Sequence, residues 1–367
     1  MKKKVLFIIW SYSYGGGAER VLTNIVNNLD SSKYEIDILE YLYAGIKKEE
    51  INDNINLLDP IIDITDRSFV NRVNNCVKEK IVFRFPKLLR KKYIKKNYDV
   101  EIAFNYLIPT FLLDYNVKTI GWCHGAITDL KDNDRLRNLQ KKYFDKINKI
   151  VAISNKTFDS ILEVYPEYKD KVKLIYNGFD KNNILMQIND YKSDPIDILY
   201  CGRFDENKNP SKFIEIIRNI KKVKKDVKAG MLGIGKLEKD IKKMIDKYEL
   251  NDNVILYGYK NNPYPIINST KIMCLTSYSE GFPTVLMEGM ILGKPFISTD
   301  VAGTKEMSNN NKCGFISNDN NELCDYALKL LDDKKLYDKM SKDSQIHAEN
   351  FTLMSQIKNI ESLIDGN

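Results

Sequence analysis

The chain has 367 residues, of which 43% are hydrophobic and 29% charged, and its 57 basic and 50 acidic residues give a formal net charge of +7. This length predicts two domains, because a typical domain has ~100–200 residues, and the composition excludes collagen-like, low-complexity and wholly disordered chains. The positive charge is concentrated, since residues 67–97 contain 11 basic residues and a single acid, Glu79. We therefore expect one basic surface rather than a generally basic protein.

A buried strand over 5–10 is the first predicted element. The lysines before it resemble the start of a signal peptide, but the apolar run is shorter than the ~7–15 residues of such a peptide and no small-residue cleavage site follows. No run in the sequence approaches the ~18 apolar residues of a membrane span. The 6 cysteines form no CxxC pair. This spacing favours reduced core thiols of a cytoplasmic protein over disulfides or a zinc site.

Short apolar runs alternate with helical patterns through both halves of the chain. This alternation predicts an α/β fold built from βαβ units, with one parallel sheet in each half. The polar segment 180–195 is the predicted linker. Ligands bind at the carboxyl ends of strands in such sheets, so the loops there are candidate sites. The predicted strands are 5–10, 36–41, 100–105, 119–123, 150–154, 196–201, 228–232, 254–257, 272–276 and 295–299, and the predicted helices include 19–29, 211–224, 236–248 and 284–292.

Two glycine-rich loops follow predicted strands. Gly15, Gly16 and Gly17 precede a helix, where glycines let the backbone approach a phosphate and the helix N-terminus adds partial positive charge; a tight turn without a ligand is the alternative. The segment 230–236 has the pattern GxxxxGK, which is typical of a nucleotide-binding ATPase or switch. However, Leu237 stands where that motif needs a hydroxyl to hold Mg²⁺, which counts strongly against an ATPase.

Two cations, Arg203 and Lys208, lie five residues apart in a loop at the carboxyl end of a predicted strand. Arg offers a planar fork of donors and Lys a mobile point charge, a pairing that suits a diphosphate neutralised without a metal. The alternative is a solvated loop with no ligand.

Residues 277–289 contain the densest set of candidate residues. Pro283 suits the first turn of a helix and leaves the amides of Thr284 and Val285 free. Glu280 then precedes the helix and Glu288 lies inside it. A carboxylate can accept two hydrogen bonds from a vicinal diol, so one glutamate could hold a sugar ring and the other a ribose. Alternatively, each is a surface residue or a favourable charge near a helix start.

The spacing E-x7-E of Glu280 and Glu288 occurs together with GRFDENKNP (202–210), IYNGFD (175–180), GGGAER (15–20) and LGKPFISTD (292–300). From residue 5 to about residue 306 the chain resembles the retaining glycosyltransferases of family 4. The resemblance implies a GT-B fold, with two Rossmann-like doubly wound domains that face each other across a cleft. It implies an acceptor-facing domain over 1–180, a nucleotide-sugar domain over 181–345, and a C-terminal crossover helix over 346–367 that returns to the first domain. Residues 344–364 could supply that helix.

The resemblance also implies a role for each matching residue. It places the donor diphosphate on Arg203 and Lys208, the sugar hydroxyls on Glu280 and the ribose on Glu288. His124, in GWCHG (121–125), matches the active-site histidine beside the transferred sugar; a structural histidine is the alternative. Further implied contacts are Gly16, Gly17, Thr284 and Val285 at the diphosphate, Gly281, Phe282 and Pro283 at the sugar, and Gly258, Tyr259 and Lys260 at the base.

The family uses no metal ion or other cofactor, and its donor is a nucleotide sugar, for which we expect UDP with GDP as the alternative. The one DxD pattern, Asp132-Asn133-Asp134, lies in a very polar stretch with no strand before it and is interpreted as solvated. The resemblance implies same-face attack, with a phosphate oxygen of the leaving group taking the acceptor proton. The alternatives are a phosphorylase or sucrose-type enzyme of the same fold, and a sugar-binding or nucleic-acid-binding module without catalysis.

The basic segment 67–97 has apolar residues near helical spacing, among them Val70, Val73, Val77 and Phe85. A basic amphipathic segment is typical of a membrane-surface element, and the alternative is a helix packed on the first domain with a solvated basic face. Lys/Arg runs with aromatics also attract nucleic acid, but no RNA-binding motif is present, so we expect no nucleic-acid partner. We expect a lipid-linked or cell-surface glycan acceptor and a peripheral location on the inner face of the plasma membrane.

Overall fold

The computed structural model describes residues 1–14, 16–46, 50–105, 107–129 and 134–366. Its backbone divides into two compact units. The first unit contains residues 1–178 together with 353–367, and the second contains residues 179–352. The sequence places the corresponding boundaries at 180/181 and 345/346.

The first unit has a parallel sheet with helices packed against it. Its elements are β1 (Lys3–Ile9), α1 (Gly17–Asn28), β2 (Tyr34–Glu40), β3 (Leu42–Tyr43), β4 (Ile55–Leu57), β5 (Ile62–Asp63), α2 (Phe69–Arg84), α3 (Pro86–Tyr93), β6 (Val100–Ala103), α4 (Ile108–Phe111), β7 (Lys118–Cys123), α5 (Asp134–Phe144), β8 (Lys149–Ala152), α6 (Asn155–Val164) and β9 (Val172–Leu174). Within the described residues the main sheet has the order β4-β2-β1-β6-β7-β8-β9, and β3 pairs with β5.

The second unit repeats this architecture. Its elements are α7 (Lys181–Met186), β10 (Ile196–Cys201), α8 (Pro210–Val223), β11 (Ala229–Leu232), α9 (Glu238–Lys247), β12 (Val254–Gly258), α10 (Tyr264–Ser269), β13 (Thr270–Leu275), α11 (Thr284–Ile291), β14 (Phe296–Ser298), α12 (Thr304–Ser308), β15 (Gly314–Ile316), α13 (Asn320–Asp332) and α14 (Lys334–Ala348). The strand order is β12-β11-β10-β13-β14-β15, with every pair parallel.

The predicted pair of Rossmann-like parallel sheets is confirmed. The central strands are near-continuous apolar runs because helices cover both faces of a parallel sheet. In β1, for example, the side chains from Val5 to Ile9 are all buried. Trp10 is an exception to the prediction: the strand ends at Ile9, and the Trp10 side chain is exposed rather than buried in the sheet.

The last helix, α15 (Leu353–Asp365), belongs to the first unit, where it contacts α1. The Asp365 carboxylate accepts hydrogen bonds from Lys3 Nζ at 2.7 Å and from the Tyr34 hydroxyl at 3.0 Å. The prediction of one helix over 344–364 is wrong about where this helix begins. Residues up to Ala348 belong to α14, and a short 3-10 turn separates the two helices.

The predicted linker 180–195 and the predicted core thiols also need correction. The linker begins with the helix α7, which Asp180 caps by accepting a hydrogen bond from the Asn183 amide at 3.0 Å. Ile184 is the buried residue of α7. All 6 cysteines are free thiols, but Cys76 is exposed on α2 rather than part of the core.

Within the described residues, no helix combines the length and the apolar character that a membrane crossing requires.

Candidate active site

The loop between β10 and α8 contains both predicted diphosphate ligands, Arg203 and Lys208. The Tyr200 hydroxyl donates to the Arg203 carbonyl at 2.8 Å, and the Lys208 amide donates to Asp205 Oδ1 at 2.9 Å. Asn209 ends the loop in a left-handed conformation with a φ of 46° and caps α8 with its side chain. The side chains of the loop and its flanking strand therefore fix the backbone that presents the two cations.

The loop after β13 is joined to this first loop because β10 and β13 are neighbouring strands. The Tyr278 amide donates to the Asn207 carbonyl at 2.8 Å, and the Asn207 side-chain amide donates to the Ser279 carbonyl at 3.0 Å. The Thr276 hydroxyl donates to the Asn209 carbonyl at 2.9 Å. Two loops distant in sequence thus form one continuous rim at the carboxyl edge of the sheet.

This rim brings Lys208 and Glu280 together. Lys208 Nζ lies 2.5 Å from Glu280 Oε1, and the Ser277 hydroxyl donates to the same oxygen at 2.6 Å. Both charged side chains are half-buried. Arg203 is not part of this pair: its side chain is exposed, and its Nε lies 3.1 Å from Asp205 Oδ2. The site therefore has one paired, partly buried lysine and one arginine whose guanidinium extends toward solvent.

The segment from Gly281 to Val285 leads from this rim into α11. Pro283 occupies the N-cap position rather than the first helical turn, so the helix begins at Thr284. The amides of Thr284 and Val285 belong to the first turn, where no carbonyl of the helix itself can accept from them. Both residues are half-buried, whereas Phe282 is buried. The helix N-terminus supplies partial positive charge to the same edge as Lys208.

Gly303 supports this turn and was missed by the sequence analysis. Its φ is +86°, and a Cβ there would lie 3.0 Å from Phe282 Cα and 3.0 Å from Pro283 Cδ. The Phe282 ring packs against the ring of Phe351, with a centroid distance of 5.5 Å. The one sequence signal for this contact is that Gly303 directly precedes a helix.

The other predicted binding residues of the second unit, Glu288 and residues 258–260, also lie at its carboxyl edge. Glu288 is in the second turn of α11 and is only 3% exposed. Gly258 has a φ of +66°, and its carbonyl accepts from the Gly233 amide at 2.9 Å. Tyr259 and Lys260 follow it and are exposed. The edge thus combines a buried carboxylate with an exposed aromatic and an exposed cation.

The GxxxxGK loop has a structural explanation. A Cβ on Gly233 would lie 1.9 Å from the Gly202 carbonyl oxygen, and a Cβ on Gly235 would lie 2.4 Å from the Phe204 carbonyl oxygen. Only glycines allow the backbones of these two loops to approach so closely. Lys236 forms an ion pair with Glu206 in the loop between β10 and α8. The glycines of this loop therefore do not require a nucleotide to explain them, and the ATPase alternative loses its main support.

In the first unit, His124 follows β7 at the carboxyl edge of the sheet. Its Nε2 lies 2.7 Å from the carbonyl oxygen of Phe104. A carbonyl only accepts, so Nε2 carries the proton and Nδ1 is left as an acceptor. Desolvation lowers the pKa of His124 to about 4. The ring is therefore neutral at neutral pH.

Gly16 and Gly17 lie at the start of α1, and Gly15 lies outside the described residues. Gly16 is the N-cap, with an extended φ of −156° that any residue adopts. A Cβ on Gly17 or on Gly125 would have no described atom within 4 Å apart from its chain neighbours and the backbone of its own helix. Neither of these two glycines is required by the packing of its own unit. Both therefore leave space at the edge of the sheet.

In the part of the chain that the structure describes, no group of three or more His, Cys, Asp and Glu side chains could hold a metal ion. Of the DxD pattern, Asp132 and Asn133 lie outside the described residues, and Asp134 begins α5.

These sheets and sites define the chain as a two-domain protein of the GT-B class, and comparison with known proteins identifies its family. The model "Glycosyltransferase Family 4" matches residues 15–183, and the model "Glycosyl transferases group 1" matches residues 181–347. The two matches follow one another along most of the chain. The chain therefore belongs to the family 4 glycosyltransferases, and it is a glycosyltransferase.

Individual relatives agree with this assignment. An N-acetylgalactosamine-N,N'-diacetylbacillosaminyl-diphospho-undecaprenol 4-alpha-N-acetylgalactosaminyltransferase of Campylobacter jejuni is 26% identical and covers 96% of both chains. A second alpha-1,4-N-acetyl-D-galactosaminyltransferase of that organism, named for a diNAcBac-PP-undecaprenol acceptor, is 24% identical over 97% of this chain and 99% of its own. The crystal structure of Anabaena HepE in complex with UDP-glucose has a TM-score of 0.78 at 16% identity, covering 99% and 100% of the two chains.

Proposed function

We propose that this protein is a retaining, metal-independent glycosyltransferase that transfers a sugar from a UDP-sugar to a hydroxyl of a lipid-linked glycan in glycolipid or polysaccharide synthesis. The main support is the Lys208–Glu280 pair at the carboxyl edge of the second unit, beside the first turn of α11. Negative charge grows on the diphosphate as the glycosidic bond breaks. Lys208, Arg203 and the amides of Thr284 and Val285 stabilise that charge, because such donors act most strongly when they are preorganised.

The other donor contacts follow from the same edge. Glu280, held by Lys208 and Ser277, accepts hydrogen bonds from hydroxyls of the transferred sugar. Glu288 serves the ribose hydroxyls, and residues 258–260 contact the base. In this arrangement Lys208 lies between a carboxylate and a phosphate, so that one cation neutralises both anions without a metal.

The first unit supplies the remaining roles. Gly17 leaves space for the donor phosphates beside the positive end of α1, and Gly16 precedes it as the N-cap. His124 presents a neutral Nδ1 that accepts a hydrogen bond from a sugar hydroxyl. In the transfer itself, the acceptor oxygen forms a bond to the anomeric carbon on the face from which the phosphate oxygen leaves. The acceptor proton moves to that phosphate oxygen, so no protein nucleophile is needed.

The proposed acceptor is a glycan on a polyprenyl diphosphate. Two relatives, 26% and 24% identical to this chain, are named as N-acetylgalactosaminyltransferases with undecaprenol-linked acceptors. An acceptor of this kind lies at a membrane surface, so the enzyme needs a way to reach that surface.

The helices α2 and α3 form a surface that suits this need, which we call the basic apolar surface. Its inner side is held by polar contacts: the Asn71 and Asn75 side chains donate to the Asp63 carbonyl at 2.7 Å each, and Lys78 Nζ donates to the Ile61 carbonyl at 2.6 Å. Val82 and Leu89 are also buried on this inner side, but many other apolar residues of the two helices are exposed, which an ordinary surface helix avoids. The exposed apolar residues of this surface are Phe69, Val70, Val73, Val77, Phe83, Phe85 and Leu88.

Cations surround these exposed apolar side chains. Lys80, Arg84, Lys87 and Lys91 are exposed on the same two helices. Two other cations of the segment have protein partners. Arg90 pairs with Glu101 at 2.6 Å, and Lys96 Nζ lies 3.1 Å from Glu35 and 2.9 Å from Asp37. We place the protein peripherally on the cytoplasmic face of the plasma membrane, with the basic apolar surface against anionic lipid.

A donor panel tests the proposed activity. The protein is incubated with UDP- and GDP-sugars in EDTA, and mass spectrometry follows donor hydrolysis alone and transfer to polyprenyl-diphosphate-linked N-acetylhexosaminides. We expect turnover of a UDP-sugar with an α-linked product. Turnover of GDP-sugars but not of UDP-sugars would mean that the donor carries guanine instead of uracil. Transfer only to inorganic phosphate or to fructose would instead support the phosphorylase or sucrose-type alternative, and a strict metal requirement would contradict the proposed mechanism.

A further inference from the structure

Two exposed aromatic side chains, Trp10 and Tyr14, lie side by side just after β1. Their exposed fractions are 41% and 42%, and their ring centroids are 6.3 Å apart. Burial of aromatic rings is strongly favourable, so an exposed pair on a soluble surface indicates a contact made with something else. We call these two rings the aromatic pair.

The backbone that carries the aromatic pair is held tightly. Glu40 Oε2 accepts from the Tyr12 amide at 2.9 Å, from the Ser13 amide at 3.1 Å and from the Ser13 hydroxyl at 2.9 Å. The Tyr12 hydroxyl lies 2.6 Å from Thr23 Oγ1 of α1. Between the two exposed rings the residues at 11, 12 and 13 are all buried. The rings are thus exposed on a fixed support, which lowers the entropic cost of binding.

The position of the aromatic pair connects it to His124. The Trp10 amide donates to Asn105 Oδ1 at 2.8 Å, and Phe104, the residue before Asn105, accepts from His124 Nε2 at 2.7 Å. The pair, Asn105 and His124 therefore follow three neighbouring strands, β1, β6 and β7, along one edge of the sheet.

An unsatisfied hydroxyl lies in the same loop. Ser11 Oγ is buried and has no hydrogen-bond partner in the part of the chain that the structure describes. Buried hydroxyls are nearly always paired, so this one is an exception, but its burial keeps it from a ligand on the exposed rings. The half-buried Asn105 is the polar side chain next to the aromatic pair, so this edge offers the apolar faces and the polar group that sugars require.

We propose that Trp10 and Tyr14 bind a pyranose ring of the acceptor glycan. The C–H hydrogens on one face of a pyranose are slightly positive and pack on the negative face of an aromatic ring, while the hydroxyls at its rim need polar partners such as Asn105. We assign this ring to the acceptor rather than to the donor, because Glu280 and His124 are already assigned to the transferred sugar of the donor. This inference rests on the proposed function.

The test compares Trp10→Ala and Tyr14→Ala with Trp10→Phe and Tyr14→Phe, using the polyprenyl-diphosphate-linked acceptor that the wild-type protein turns over. We expect each alanine variant to raise the acceptor KM about tenfold or more, while the phenylalanine variants stay close to wild type. Donor KM and donor hydrolysis without acceptor should stay within twofold of wild type. An unchanged acceptor KM, or a parallel loss of donor hydrolysis, would overturn the proposal.

Fluorescence gives a second readout that does not depend on turnover. The chain has 2 tryptophans, and because Trp122 is 0% exposed, acrylamide quenching reports on Trp10. We expect saturating acceptor to reduce quenching in the wild-type protein, and this protection to vanish in Trp10→Phe. Equal quenching with and without acceptor would contradict the proposal. If the wild-type protein transfers to no glycan at all, the proposed function fails instead.

Discussion

The carboxyl edges of the two sheets differ in their chemistry. The edge of the second unit is charged, with the Lys208–Glu280 pair, the exposed Arg203 and the first turn of α11. At the edge of the first unit, His124 is uncharged at neutral pH, the Glu40 carboxylate accepts from the loop after β1, and the aromatic pair is exposed. A diphosphate needs charge and a sugar ring needs apolar faces with hydrogen-bonding groups. The difference therefore matches a donor side and an acceptor side.

The largest effect is expected from the charged edge. Glu280→Gln keeps the size of the side chain but removes the charge that holds Lys208, so we expect transfer to fall by about 10³-fold or more, because a positioned charge in the transition state is worth ~4 kcal/mol. The measurement is kcat for transfer with the best donor. Glu238→Gln is the matched control, since Glu238 forms an exposed pair with Lys242 in the same unit. Equal activity of the two variants would remove Glu280 from the site.

The glycines of the two edges should respond in opposite ways. Gly233→Ala places a Cβ 1.9 Å from a backbone oxygen, and we expect it to cost roughly 3 kcal/mol or more of unfolding free energy. Gly17→Ala meets nothing within 4 Å at a helical position and should be neutral or stabilising by about 0.5–1 kcal/mol. If the space at Gly17 serves the donor, the stable Gly17→Ala protein has a donor KM raised about tenfold. A Gly17→Ala enzyme with wild-type KM would show that this space is not used.

The basic apolar surface is a further difference between the two units, because it belongs only to the first unit. Reversing Lys80, Arg84 and Lys87 to Glu should abolish most co-sedimentation with anionic liposomes, since each cation near anionic lipid adds about 1 kcal/mol. Donor hydrolysis without lipid should be unchanged. The matched control reverses Lys335, Lys339 and Lys342, which are exposed on α14 of the second unit. Membrane binding that persists in the first variant, or is lost equally in the control, would exclude this surface.

The smallest effect concerns the charge of His124. Its pKa in the folded protein, about 4, lies below the ordinary value of 6.5, so the unfolded chain binds the proton more readily. The stability that this neutral ring contributes is complete above pH 6.5 and is lost as the pH falls toward 4. Urea unfolding should show a steeper loss between pH 6.5 and 5 for wild type than for His124→Asn, by at most ~1.4 kcal/mol per pH unit. Parallel curves would mean that His124 is not desolvated.

The fold could be predicted closely from the sequence, because buried parallel strands are continuous apolar runs and here they alternate with helical patterns. The observed β10 has the bounds that the sequence predicts, and the other predicted strands shift by at most a few residues. Short edge strands such as β4 and β15 were not predicted, since three residues give no periodic signal. The prediction of a single helix over 344–364 failed because both of its parts have helical patterns, and only the short break over 349–352 separates them.

The site followed less completely. The E-x7-E spacing identified Glu280, but no spacing could show that its partner is Lys208, because that contact depends on the neighbouring order of β10 and β13. Trp10 was assigned to a buried strand since it continues an apolar run, and only the structure shows it beyond the strand end. The glycines at 233 and 235 suggested phosphate binding in sequence, whereas backbone packing explains them.

The central claim is that the second unit binds a nucleoside diphosphate sugar through Arg203 and Lys208 without a metal. Isothermal titration of the full chain with the UDP-sugar in EDTA tests it most directly, with the Arg203→Ala/Lys208→Ala double variant beside wild type and Lys242→Ala/Lys243→Ala as control. We predict binding by wild type and by the control, and binding at least about 100-fold weaker by the double variant, because each of the two lost charge-assisted contacts costs ~1.5–3 kcal/mol. Equal affinity of the double variant and wild type would contradict the claim.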